Sequence, residues 1–484
     1  MMILAPRLLQ YRPETALSDR LFSDLQLDRI LSAQAIDVLR HPCVADGLAH
    51  RNELFLLLGQ NDVRTRVEKL LSTLCDNERA LYLLREARLP LDTYYRQADV
   101  LDAYLASCRA LASMHDVGSL FSEVAKAYSS EAVQRRLSDM AASVAKIRRL
   151  LHEMQTGLLS FGDRNWLTPD YDAVSEIEDL FACAARLGFD VLQRRRQDIG
   201  INSSLSDATC RLYAEQVAQI EDEIAGYADV DLYTPTAYIP EIRFFLEIHA
   251  LTQRAAEIGV LHCIARISQA PKYTAKDLYD VSLLAKDCER IVPNDADFTE
   301  QAPFCFLVGA NGGGKTTYLR ALGVNLLLFL AGCPVFAKQA EIFPFDTVLA
   351  HFPKDERFDD SGRLDDERAR TEEMLRAADA KVAFLLFNET FSGTDDKRGF
   401  DLLTDTAAKI GEGRHFGLYV THFHEVMSLD LPVLSAEVDP LDANKRTYRI
   451  VRSKGSASSY AADILKKYRL DRDSLAQRRC GHGN

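Results

Sequence analysis

Apolar residues recur every three or four positions through most of the first 285 residues, with charged residues between them. This predicts amphipathic helices over Arg66–Leu74, Ala98–Met114, Ser130–Gly157 and Asp207–Tyr227. The run from Ser130 to Leu158 carries Leu137, Met140, Val144, Ile147 and Leu151 on one stripe. A helix of that length reaches roughly 40 Å at about 1.5 Å per residue, the dimensions of a lever or arm. Breaks are expected at Ser160–Pro169, at Gly200–Ser204, and at Asp229–Pro240, where Pro235 and Pro240 bracket a Tyr/Thr-rich loop.

After Pro293-Asn294-Asp295 the pattern changes to short apolar runs alternating with helical stretches. The runs are Cys305–Val308, Thr347–Phe352, Val382–Phe387 and His415–Val420, the mark of an α/β unit. The expected fold class is α+α/β: an all-helical domain over 1–290, an α/β domain over 291–470, and a basic, disordered tail over 471–484.

Composition adds limits to this outline. The chain has 484 residues, enough for two or three domains, and 47% hydrophobic with 27% charged residues is an ordinary globular balance. A net charge of −13 argues against a surface coated for indiscriminate nucleic-acid binding, while leaving room for a local basic patch. The ten cysteines are scattered without a C-x-x-C pair and read as buried free thiols of a reducing cytoplasm. No segment has the length and flanks of a signal peptide, and the longest apolar run, Val324–Ala331, is too short to cross a bilayer. The expectation is a soluble cytoplasmic protein with no membrane partner.

The candidate chemistry centres on Gly309-Ala310-Asn311-Gly312-Gly313-Gly314-Lys315-Thr316-Thr317, entered from the apolar run Cys305–Val308 and followed by a Leu/Ala-rich helical stretch. Glycines at the first and sixth positions let backbone N–H groups turn inward around phosphate oxygens. Lys315 adds a point charge at the β/γ-phosphates, and Thr316 offers a hydroxyl to Mg²⁺. ATP or GTP is therefore the first ligand to consider.

Further candidates lie downstream. Asn388-Glu389 closes the apolar strand Val382–Phe387 where P-loop ATPases carry a carboxylate pair. Asn388 can accept from Mg²⁺-bound water without contributing charge, and Glu389 is the candidate for activating water; a strand end merely capped by polar groups is the plainer alternative. His422, after Tyr419-Val-Thr421, is placed to sense a γ-phosphate, with a metal pair formed with His424 or an ordinary strand-end histidine as alternatives. Ser361-Gly362-Arg363 can present a hydroxyl, backbone N–H groups and a guanidinium to a phosphate bound by another subunit, or can simply cap a helix.

Together these residues resemble the MutS family. Gly309-x-Asn-x-Gly-Gly-Lys-x-Thr-Tyr-x-Arg320 is similar to its version of the phosphate loop, including Asn311, Tyr318 and Arg320. Ala331–Phe336 leading into Ala340–Asp346, the Ser361-Gly-Arg segment, Asn388–Thr394, Thr421-His-Phe423 and Gly455–Tyr460 follow in the family's order. The resemblance is specific over about 291–460 and weaker in the helical half, where Phe22–Asp28 and Ile239–Leu251 suit the lever region.

The resemblance implies an ABC-like P-loop ATPase domain that forms a homodimer. Each ATP, with Mg²⁺ on Thr316 and Asn388, would be sandwiched between one subunit's cradle and the other's Ser361–Arg363 loop. Levers in 1–290, with room for a reduced clamp near 158–205, would link nucleotide state to DNA. Ile291 matches by position the family's adenine-stacking residue.

Three departures qualify the transfer: the chain starts directly in lever-like helices, leaving no room for mismatch-reading and connector domains; Asn388 stands where the family has Asp, and the helix after Ser361-Gly-Arg reads as shorter, with acidic Asp365-Asp366-Glu367 where the family pattern is more hydroxyl-rich; and no nuclease module follows. Any DNA contact is expected to be to the backbone, with Arg194-Arg195-Arg196 and the set Lys445, Arg446, Arg449, Arg452, Lys454, Lys466 and Lys467 as the available patches; a solvated helical face is the favoured alternative for the triplet, and a border to the nucleotide or the dimer partner for the later group. The expected function is a DNA-associated ATPase of the repair or recombination type. The alternative is a nucleotide-gated scaffold for a protein partner, with slow or no hydrolysis and no DNA binding.

Overall fold

The computed structural model describes residues 6–12, 16–160, 203–285, 291–353, 360–391, 396–439 and 446–453. They form two compact units: one comprises Leu56–Leu246 with the first nine residues, the other Gln10–Phe55 with the chain from Glu247 onward.

The first unit is helical. Asn61–Glu86 packs on Pro90–Ala112, which in turn packs on Glu131–Ser160. Pro90 sits in the first turn of its helix, where its missing N–H costs nothing. The stripe Leu137, Met140, Val144, Ile147 and Leu151 is buried as its spacing predicts.

Two local expectations are corrected. The single helix over Asp207–Tyr227 is two, Ser203–Leu212 and Ala214–Ala225, interrupted at Tyr213. The loop over Asp229–Pro240 instead contains a 3₁₀ turn, Thr234–Tyr238, and the start of the helix Ile239–Glu257. Both prolines sit in first turns, so they open these elements rather than break them. The breaks expected near 160 and 200, the clamp region and the Arg194–Arg196 triplet fall largely or wholly outside the described residues.

The second unit carries ten strands among the described residues: β1 Arg266–Ile267, β2 Tyr273–Leu278, β3 Asn294–Phe298, β4 Phe304–Val308, β5 Gln339–Ile342, β6 Thr347–His351, β7 Ala383–Asn388, β8 Phe416–Val420, β9 Val433–Val438 and β10 Arg446–Arg452. Six of them form a sheet in the order β10-β9-β4-β8-β7-β6, parallel except for the β9–β10 hairpin pair; the other four form a sheet in the order β1-β5-β2-β3. Every residue of β4, β7 and β8 is buried, which is why these strands read as continuous apolar runs rather than alternating ones.

Strands thus begin ahead of 291, and β2 lies within the stretch expected to be helical. Its sequence Tyr-Thr-Ala-Lys-Asp-Leu has no long apolar run, and its partners β3 and β5 come later in the chain, so tertiary pairing decides its state.

Residues 10–55 are helical by pattern yet belong to the sheet-bearing unit. The Cys43 N–H donates to the Leu330 carbonyl at 2.8 Å, Arg51 donates to the Ala331 carbonyl at 2.8 Å, and Asp24 pairs with Arg370 at 2.8 Å. Helical period reports secondary structure; only contacts report which core a helix joins.

Among the described residues, no helix is long and apolar enough to cross a membrane, and Cys43, Cys75, Cys108, Cys210, Cys263, Cys305 and Cys333 are free thiols.

Candidate functional site

Register brings the candidate residues to one edge of the large sheet. β8 lies between β4 and β7, with Val420 level with both Leu307 and Asn388. Chain leaving these three strands therefore emerges side by side at their C-terminal ends, where open α/β sheets bind ligands. The Thr421 N–H donates to the Leu307 carbonyl at 3.0 Å and the Glu389 N–H to the Val420 carbonyl at 2.8 Å, extending the ladder past the strand ends.

From β4 the chain enters the glycine loop. Gly309 has φ 134°, and a Cβ there would lie 2.9 Å from the Ala436 Cβ, so only glycine permits β9 to approach so closely. Gly314 takes φ 90° at the N-cap of the helix Lys315–Leu330, turning the chain abruptly from loop to helix. That helix is buried along nearly its whole length, so its N-terminus is fixed in place.

Lys315 is buried. Its Nζ donates to the Gly309 carbonyl at 2.8 Å and stands 3.6 Å from Glu389 Oε1. Burial pulls its pKa below the usual lysine range, and Glu389 partly restores it. The Thr316 hydroxyl donates to the Asn388 amide oxygen at 3.2 Å. The edge of an octahedral Mg²⁺ shell is about 2.9 Å, so these two oxygens have the chemistry and nearly the spacing of neighbouring groups around one hard cation.

A cavity of about 740 Å³ opens over this edge. Asn311, Gly312, Gly313, Gly314, Lys315, Thr316, Thr317 and Glu389 line one side; Leu278, Tyr279, Asp280, Val292, Asn294 and Tyr448 are among the residues of its other walls. The volume falls in the range of small-molecule sites.

The other expected residues are placed as follows. Gly309 and Ala310 lie behind the wall and offer their carbonyls to Lys315. Asn388 touches Thr316 from beneath the wall. Ile291 is not among the lining residues, although its neighbour Val292 is. His422 leaves the end of β8 against the Phe423 ring, with centroids 4.2 Å apart, and is likewise outside the lining set. Among the described residues no cluster of three metal-ligating side chains forms, at His422 and His424 or elsewhere. Ser361, Gly362 and Arg363 fall in the first turn of the helix Asp360–Ala378, and their side chains lie outside the described residues.

Two residues of the site have no short sequence motif. Tyr448, in the left-handed region at φ 60°, packs over Gly314 and lines the cavity. Asn294 holds it there: its amide nitrogen donates to the Tyr448 carbonyl at 3.0 Å, and its oxygen accepts from the Ile450 N–H at 2.6 Å. Of the basic residues proposed for DNA, Arg446 donates to the Asn311 carbonyl at 3.3 Å and Arg452 pairs with Asp297 at 2.8 Å. Lys445, Lys454, Lys466 and Lys467 lie outside the described residues.

A helical unit and an α/β unit, with a strand, glycine loop and helix set at the edge of a mainly parallel sheet, define the class of protein. Residues 305–464 match the family model for MutS domain V. Over 147 residues the chain is 33% identical to a DNA mismatch repair protein, msh-2, of Neurospora crassa, covering 30% of this chain and 16% of that protein. It is 22% identical to the DNA mismatch repair proteins MutS and HexA of Streptococcus pneumoniae (serotypes 19F and 4), over alignments of 476 positions covering 78% of this chain and 54% of each relative. These matches support a MutS-family protein. The chain spans about half the length of these bacterial relatives.

Proposed function

We propose that this chain is an ATP-binding, ATP-hydrolysing protein that acts on DNA, in which nucleotide held at the glycine loop governs the helical unit. The observation that carries this reading is the convergence of Lys315, Thr316 and Glu389 on one cavity wall, with Asn388 behind it on the Thr316 hydroxyl. Backbone N–H groups at the start of a fixed helix, together with the Lys315 ammonium, form a cradle for phosphates. Thr316 and Asn388 would hold Mg²⁺, whose charge offsets that of the phosphate oxygens when it is bound.

Glu389 is the base: it accepts a proton from the attacking water as the bond to the γ-phosphoryl group forms and the bond to the leaving oxygen breaks. Lys315 holds the phosphates and stands beside Glu389. His422 acts as the hydrogen-bonding sensor of the γ-phosphate, and Tyr448, with Val292 beside it, supplies the apolar and aromatic wall for the base and sugar. Two copies meet through the α/β unit, each offering its Ser361–Arg363 segment to the other's nucleotide. DNA is held by backbone contacts.

The names of the relatives, DNA mismatch repair proteins, support the DNA part of this reading. Asn388 favours a second one. An amide where a carboxylate would add charge suits slow turnover, as in a nucleotide-gated scaffold for a protein partner.

One experiment separates the two: ATP turnover by the full chain with and without duplex, branched and mismatched DNA across a salt series. DNA-stimulated turnover that weakens with salt supports the first reading. Nucleotide-dependent dimerisation with no effect of any DNA supports the second.

A further inference from the structure

Beyond the strand end, the segment carrying Glu389 takes an unusual path. Glu389 has φ 49° and Phe391 φ 67°, two non-glycine residues in the left-handed region with Thr390 between them. Such backbone persists only where its surroundings fix it. Three contacts do so in the middle and at the start of the turn. The Glu389 N–H reaches the Val420 carbonyl at 2.8 Å, the Tyr419 hydroxyl donates to the Thr390 carbonyl at 3.1 Å, and the Thr390 hydroxyl meets His351 Nδ1 at 2.7 Å.

The far end of the turn is held from a different element. Glu367, a buried carboxylate on the helix Asp360–Ala378, accepts the buried Phe391 N–H at 2.8 Å. That helix is itself anchored. Arg370, one turn on, donates to the Phe352 carbonyl at 2.7 Å and the Ala350 carbonyl at 3.1 Å, and pairs with Asp24 at 2.8 Å. Thr371 ties back to the Glu367 carbonyl at 2.9 Å.

We propose that Glu367 is a positioning residue for Glu389: by capping the Phe391 N–H it holds the 389–391 turn in its left-handed path, aims the Glu389 carboxylate at the cavity, and links the helix begun by Ser361–Arg363 to hydrolysis. The proposal rests on the assignment of Glu389 as the base. Glu367 is not among the residues lining the cavity; it acts through the main chain. Its contribution therefore belongs to kcat rather than to nucleotide affinity, since a displaced base costs rate without removing phosphate contacts.

The test compares Glu367→Ala with Glu367→Gln in the full chain, reading Mg²⁺-dependent ATP turnover, equilibrium binding of a fluorescent ATP analogue, and hydrogen exchange at the Phe391 amide. Glu367→Ala is expected to lower kcat about 10- to 100-fold with affinity within about threefold, and to speed Phe391 exchange. Glu367→Gln, whose amide oxygen still accepts, is expected to recover most of the rate and the protection.

Parental kcat and exchange in Glu367→Ala overturn the proposal. So does a Gln variant as impaired as Ala, or a parallel loss of affinity and turnover. A parent chain that does not hydrolyse ATP overturns the proposed function instead, and Phe391 exchange in the two variants still decides whether Glu367 holds the turn.

Discussion

The Thr316 hydroxyl and the Asn388 amide oxygen lie 3.2 Å apart, joining the start of the glycine-loop helix to the end of β7. An amide oxygen also accepts this hydrogen bond, more weakly than a carboxylate would, so the contact survives without the charge. Asn388→Asp keeps the geometry and adds one negative charge beside Thr316. Mg²⁺-dependent ATP turnover is expected to rise by about three- to tenfold, the scale of one charge-assisted contact. A steady-state rate unchanged across a Mg²⁺ titration would remove the amide as the handicap.

Lys315 is buried with its ammonium on the Gly309 carbonyl and near Glu389. Lys315→Ala removes the one cation among the described residues of the cavity wall and leaves the glycine path intact. Nucleotide affinity is expected to fall by roughly 10- to 100-fold or more, corresponding to a charge-assisted hydrogen bond to phosphate. Equilibrium binding of ATP at fixed ionic strength checks this, and parental affinity would sink the phosphate-cradle assignment.

Glu389→Gln separates binding from turnover. The amide cannot take a proton from water, so kcat is expected to drop by about 10²- to 10⁴-fold while ATP still binds. Size-exclusion chromatography with ATP should then show a persistent dimer. A variant that hydrolyses at the parental rate takes the base role away from Glu389.

What was legible in the sequence follows how locally each feature is encoded. The strands β4, β7 and β8 announce themselves because parallel strands buried on both faces are apolar throughout, and the glycine loop because its turns tolerate no side chain. β2 is hidden because its Lys276 and Asp277 are exposed and its partners are distant in sequence. Residues 10–55 read as part of the helical half because a helical period carries no address for the core it joins. The place of Tyr448 and the contact made by Glu367 are hidden for a related reason. Each is tied in by a long-range backbone contact, Tyr448 to Asn294 and Glu367 to Phe391, and no spacing rule records such a contact.

The cavity wall distinguishes two candidates for the base-facing position. Tyr448 lines it and Ile291 does not. Tyr448→Ala should weaken ATP binding by about three- to tenfold, the contribution of one aromatic contact beyond its buried area. Ile291→Ala should change affinity less than Tyr448→Ala does. Measuring both with the same fluorescent nucleotide decides between them, and a larger loss at Ile291 would restore the assignment made from sequence position.

His351 gives the site a signature in pH. It is buried beneath the 389–391 turn against Thr390, and burial, reinforced by Arg370 and Arg20, pushes its pKa down to about 3 from an ordinary 6.5. Above pH 6.5 both folded and unfolded chains carry it neutral, and its favourable packing is fully felt. As pH falls from 6.5 towards 3, the unfolded chain takes up a proton that the folded chain refuses, so stability drops across that window by an amount on the order of a few kcal/mol. His351→Gln removes the titration while keeping a polar partner for the Thr390 hydroxyl. Between pH 7.5 and 5 the parent's thermal midpoint should therefore fall further than that of the variant, the carboxylates being common to both. Equal falls would mean that His351 is protonated as readily in the folded chain as in the unfolded one.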